Sequence, residues 1–202
     1  MEHTLSRLTR RWVRAGVALL VLGVALLGVG IITYLTHIQA SATALVNSAR
    51  EIRTKADAER EIAAWRERLG KDFWEETDHP GGDHNYDATI ANVTVARLRV
   101  VAPTGVTVSI TMRDEKLRCV TVIETTGWYP VASVFIHEWF DEALQNRFYV
   151  GGHRRANANV EFSSSLPENQ RTKAFALNTK CLAKLGGCKT AEDILPGVWQ
   201  LD

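Results

Sequence analysis

The chain has 202 residues, 46% of them hydrophobic, with 24 basic residues against 23 acidic. Arg7, Arg10, Arg11 and Arg14 against Glu2 give residues 1–14 a net charge of +3, while residues 36–202 carry 20 basic and 22 acidic residues. A body this close to neutral excludes nucleic acid as the expected partner, because phosphate binding needs a clustered positive surface, and the length left after one membrane span suffices for a single domain.

Residues 15–35, AGVALLVLGVALLGVGIITYL, carry no charge. At about 1.5 Å per residue their 21 positions cross roughly 30 Å of hydrocarbon, which predicts a transmembrane helix in contact with lipid. A helix satisfies its own backbone hydrogen bonds, so Gly16, Gly23, Gly28 and Gly30 are tolerable there. Trp12 and Tyr34 suit the two interfacial zones. Four arginines precede the span and no charged residue follows it before Arg50, so the positive-inside rule predicts a cytoplasmic segment 1–14 and an extracytoplasmic C-terminal domain, periplasmic in a bacterium. A cleaved signal peptide is the competing expectation, because Ala40-Ser41-Ala42 is an A-x-A site. Signal h-regions usually run about 7 to 15 residues, and the longer apolar run favours a retained signal-anchor.

Residues 36–70 read as a helical stem and packing helix. Ile38, Ala42, Leu45, Ala49, Ile52 and Ala56 recur at intervals of three or four, the spacing of one helix face. From Lys55 to Leu69 a second pattern places Ile62, Trp65 and Leu69 on one face, with Thr54 and Asp57 as a capping pair and Gly70 as a stop. Residues 71–88 read as an acidic, histidine-containing loop.

From residue 89 to residue 202 the pattern predicts an antiparallel sheet domain with a short helical tail. Val106, Val108, Ile110 and Met112 alternate with Thr107, Ser109 and Thr111, the mark of a strand with one buried face. Arg113 to Lys116 reads as a turn, Leu117–Glu124 and Tyr129–Phe140 as strands, and Arg97–Val101 as a strand before the Pro103-Thr104-Gly105 turn. Weaker strand signals lie at Phe148–Val150 and Asn159–Ser163. Short connections favour an antiparallel meander, and a helix packed on one sheet face gives an α+β domain. In the tail, Ala174, Phe175, Leu177, Leu182 and Leu185 are expected to be packed, with a Thr190-capped turn before Pro196 and with Trp199 and Leu201 pinning the end.

Cys181 and Cys188 are seven apart, and in an oxidising compartment a disulfide between them closes an eight-residue loop worth about 2.5 kcal/mol by chain entropy. A metal pair and two free thiols are the alternatives. Cys119 reads as a small buried apolar residue. Asp83, Asn85 and Asp87 match the first three ligand positions of a calcium loop, but Ala88 stands where Gly is needed and Thr94 where a bidentate Glu closes the sphere. His79, Asp83, His84 and Asp87 are the candidate metal ligands, set against an ordinary solvated loop. His137, Glu138 and Asp141 contain acid–base groups, yet the pleat sends His137 and Glu138 to opposite faces and leaves His137 beside Phe135 and Trp139. His153, Arg154 and Arg155 form a basic loop tip. No nucleophile elbow, zincin helix, phosphate loop, dinucleotide fingerprint or haem-attachment motif occurs, so no cofactor and no catalytic residue is assigned.

These observations predict a single-pass, non-enzymatic protein whose outer domain binds another membrane or envelope protein or joins a membrane complex. Two alternatives remain. The order of apolar helix, amphipathic stem, variable loop, antiparallel sheet and C-terminal disulfide loop resembles type IV pilins and pseudopilins in layout, which implies a filament subunit; the Glu that marks their mature apolar segment is missing from residues 15–35. A metal-dependent hydrolase or metal sensor built on the candidate ligands is the other.

Overall fold

A computed structural model describes residues 2–76, 82–127, 132–141, 148–184 and 186–197, and for residues 2–11 the backbone alone. The chain divides into two units, Met1–His37 and Ile38–Asp202, and helix α1 (Glu2–Glu51) has residues in both. In the first unit the large apolar side chains stand out from the helix, Leu19 and Leu20 at 69% exposure. The helix is long and apolar enough to cross a membrane, and none of its most apolar stretch is buried.

The second unit is an α+β domain. Within it Ala42, Leu45, Val46, Ala49 and Ile52 of the stem are buried, as their three-and-four spacing requires. The stripe does not reach Ala56, which is exposed, because the helix stops at Glu51 and residues 52–54 reset its phase. A new stripe then runs through Ala58, Ile62 and Trp65 of α2 (Lys55–Leu69). That restart is encoded locally: the Thr54 hydroxyl accepts from the Asp57 amide while the Asp57 carboxylate accepts from the Thr54 amide, a complete capping box. Trp65 is fully buried, and its indole N–H donates to Ser48 Oγ at 3.2 Å, joining α2 to the stem.

Among the described residues seven strands form one sheet: β1 (Phe73–Glu76), β2 (Asp83–Ala91), β3 (Thr104–Arg113), β4 (Lys116–Thr126), β5 (Ala132–Trp139), β6 (Phe148–His153) and β7 (Asn157–Ser163), in the order β1-β2-β3-β4-β5-β7-β6. Three readings from the sequence need correction. Much of the expected loop 71–88 is β-structure, because β1 and β2 lie at a sheet border where one face is solvated and can carry ionisable residues. The expected strand at Arg97–Val101 is instead the end of a short helix, α3 (Val93–Arg97), and a turn in which Arg99 adopts φ 57°. That segment is shaped by buried Asn92, whose side chain accepts from Thr104 N and donates to the carbonyls of Ala102 and Leu182. The meander is also broken, because β7 pairs in parallel with β5 and leaves β6 at the edge.

One sheet face bears the core. Val106, Val108 and Ile110 of β3, Val120 and Val122 of β4, and Val134 and Ile136 of β5 pack with the stem, α2 and the tail. The tail comprises α4 (Glu168–Ala174), a 3-10 turn at Thr179–Leu182 and α5 (Ala191–Ile194), whose start repeats the capping box with Thr190 and Asp193. Phe175, Leu182, Ile194 and Leu195 are buried there. Leu185, Trp199 and Leu201 lie outside the described residues.

Candidate functional site

The face of the sheet opposite the core is polar. Alternation along each strand puts Thr, Ser, Asn and Asp there, and the β-branched threonines suit a strand while leaving hydroxyls outward. Registers align one side chain from every strand into a single row: Trp74, Asp87, Ser109, Thr121, His137, Glu161 and Tyr149. Trp74 and Tyr149, at the two sheet edges, are 66% and 50% exposed. The row spans roughly 29 Å at about 4.8 Å per strand step.

At the centre of the row the Thr121 hydroxyl lies 3.0 Å from His137 Nδ1, and the His137 ring stacks on Trp139 with centroids 6.2 Å apart. Burial pushes the His137 imidazole below its ordinary range, and Glu161 opposes that shift. The neutral ring is therefore favoured, with Nδ1 engaged by a hydroxyl. Cys119 Sγ sits 3.5 Å from the Thr121 hydroxyl, and burial pushes its thiol up to about 12. Such a thiol is protonated at neutral pH and is no nucleophile.

Beside this row a cleft of about 470 Å³ opens between Asp83, Asn85, Arg113, Arg118, His137 and Trp139. Its charges are paired in place. Arg113 Nε and Nη2 donate to the two oxygens of Asp83 at 2.5 Å each, a bidentate fork that keeps Arg113 more firmly protonated than usual. Arg118 Nη2 donates to Asp141 at 3.2 Å, and Thr111 donates to Asn85 Oδ1 at 2.8 Å. Neutral His137, high-pKa Cys119 and mutually satisfied ion pairs make a surface suited to recognition by hydrogen bonding and ring contact.

The candidate metal ligands are not brought together as a set among the described residues. Asp83 and Asp87 share the open face, Asp83 forks onto Arg113, and His84 projects to the other face of β2. His79 lies outside the described residues, and no group of three or more His, Cys, Asp or Glu placed to hold a metal occurs among them. His137 and Glu138 diverge as the pleat requires, while Asp141 joins Arg118. Cys181 and Cys188 stand at bonding distance, Cα atoms 5.1 Å apart, within the range a disulfide spans.

Sequence reasoning missed Arg113, Arg118 and Thr121 as parts of one surface. Alternation on β3 signals the outward Thr107, Ser109 and Thr111, but only strand register sets Thr111 beside Asn85, Ser109 beside Thr121 and Thr121 beside His137. Together these features define an apolar helix able to span a membrane and a mostly antiparallel α+β domain with one covered and one open sheet face. No family model, curated protein or solved structure matches the chain.

Proposed function

We propose that this is a single-pass membrane protein, with its N-terminus in the cytoplasm and its α+β domain outside, acting as a non-enzymatic protein-binding or complex-assembly module of the cell envelope. The observation that carries the reading is the set of exposed apolar side chains on α1 from Val17 to Ile32, which no other described residue covers. Lipid is the medium in which such a surface is stable. The arginines before the run support the orientation, and the Cys181–Cys188 pair suits an oxidising compartment. A binding role, in place of catalysis, is supported by the open face, where Cys119 is held protonated and the arginines of the cleft are matched by carboxylates. Two measurements test the proposal. A C-terminal reporter active only outside the cytoplasm reads the topology, and inactivity there overturns it. Crosslinking in intact membranes at native expression is expected to join the domain to a second envelope protein, and recovery of the uncrosslinked chain alone overturns the assembly role.

The filament-subunit alternative draws support from layout, an apolar helix in the first unit and, in the second, an α+β domain with Cys181 and Cys188 paired near its end. It requires a processed N-terminus, and a mature protein whose mass retains residues 1–14 sinks it.

A further inference from the structure

The geometry points to the cleft beside His137 and Trp139 as a binding site for a neutral, polyhydroxylated ligand, an uncharged oligosaccharide of two or three rings. This goes beyond the proposed protein-binding role and does not depend on it.

Charge argues the class. The cleft holds Arg113 and Arg118, which in isolation would select an anion, but Asp83 takes the Nε–Nη2 fork of Arg113 and Asp141 meets Arg118. An anion on either guanidinium would lie beside the carboxylate already bound there, and a cation on either carboxylate beside the guanidinium, so a like charge opposes each. A hydroxyl meets no such repulsion, because it is neutral and both donates and accepts.

The remaining lining fits the same chemistry. Asn85 and Thr111 are joined to each other, as are Thr121 and His137, so planar and hydroxyl-bearing side chains are held in one conformation before any ligand arrives. Preorganised polar groups lose little entropy on binding. Trp139 supplies an aromatic surface for the C–H face of a sugar ring, beside the His137 ring. Trp139 Nε1 is buried and has no hydrogen-bond partner among the described residues, a donor that a ligand hydroxyl satisfies once the ring adjusts. The volume of about 470 Å³ lies within the range of small-ligand sites and exceeds that of a simple ion.

The test uses the full chain in detergent micelles, labelled with ¹⁵N on its tryptophans, six in all. The Trp139 indole resonance is assigned by its loss in Trp139→Phe. N,N′,N″-Triacetylchitotriose, cellotriose and maltotriose are the neutral probes, with inorganic phosphate and glutarate as anions. At least one trisaccharide is expected to shift the Trp139 resonance saturably, with a Kd that stays within twofold between 50 and 500 mM salt. Trp139→Phe, read by calorimetry, is expected to weaken that ligand about tenfold, and Asn85→Ala to weaken it severalfold while the six indole signals keep their dispersion. The proposal is overturned if no trisaccharide binds at 10 mM, if phosphate or glutarate binds instead with a steep salt dependence, or if a trisaccharide binds without moving Trp139 or responding to either substitution.

Discussion

Arg171 on α4 grips Glu138 on β5 with the Nε–Nη2 fork of its guanidinium, Nε to Oε1 and Nη2 to Oε2 at 2.5 Å, and neither side chain has any exposure. The same guanidinium donates to the carbonyls of Arg50 and Ile52, where α1 ends, and its carbon sits 5.0 Å from the centre of the Phe175 ring. Burial pushes the Glu138 carboxyl upward, an effect that Arg171 opposes. One buried cation thus ties the sheet, the stem and the tail at a single point, and satisfies carbonyls at the end of α1.

Arg171→Met is therefore expected to destabilise the domain by about 3 to 5 kcal/mol, because it leaves a buried carboxylate and two carbonyls without their donor. Glu138→Leu alone is expected to be similarly costly. The double substitution should cost much less than the sum, since apolar side chains of similar size tolerate burial. Urea denaturation of the four proteins measures the coupling, and additive losses would show that the pair does not act as a unit.

Glu124 on β4 is buried between Val106 and Val134 with neither carboxylate oxygen hydrogen-bonded among the described residues, and burial pushes its carboxyl up to about 8 from an ordinary 4.5. The unfolded chain releases this proton near pH 4.5, while the folded chain keeps it to about pH 8. Between those values the unfolded state binds fewer protons, so stability falls as pH rises, at most by about 1.4 kcal/mol per pH unit. Glu124→Gln removes the titration. Its stability relative to the parent should rise steadily from pH 5 to pH 8 and level off above, and a difference independent of pH would contradict the assignment.

Replacing Cys181 and Cys188 together with Ser is expected to lower stability by about 2 to 3 kcal/mol against the oxidised protein, because the unfolded chain regains the freedom of an eight-residue loop. The fold should persist, since the sheet core lies elsewhere. Non-reducing peptide mapping is expected to recover Cys181 linked to Cys188 with Cys119 as a free thiol, and a Cys119 crosslink would contradict the pairing.

A chain beginning at Ile38 should fold and remain monomeric at low concentration, because it keeps Ala42, Leu45, Val46, Ala49 and Ile52 over the sheet. One beginning at Lys55 loses that cover and exposes the apolar face of the strands, so it should aggregate. Circular dichroism and light scattering distinguish the two, and a folded, monodisperse chain from Lys55 would show that the stem is dispensable.

Much of the candidate surface could be anticipated strand by strand. The outward Thr107, Ser109 and Thr111 follow from alternation, as does the opposition of His137 and Glu138. What each outward residue meets could not. The acidic character of residues 72–87 suggested a loop, yet the same composition suits a border strand, since a solvated face places no limit on charge.

The sequence by itself determined the features that depend on neighbours along the chain: the uncharged span, both amphipathic stripes, the capping boxes at Thr54 and Thr190, the Asp114–Glu115 hairpin turn and the short Cys181–Cys188 loop. Periodicity and capping act over a few residues, so pattern alone reads them. Only the tertiary structure decided that β7 lies beside β5, that Arg113 forks onto Asp83 across 30 residues, and that Arg171 reaches Glu138 across 33. These depend on which strands pair and in what register, and a buried charge finds its partner only after the chain has closed around it.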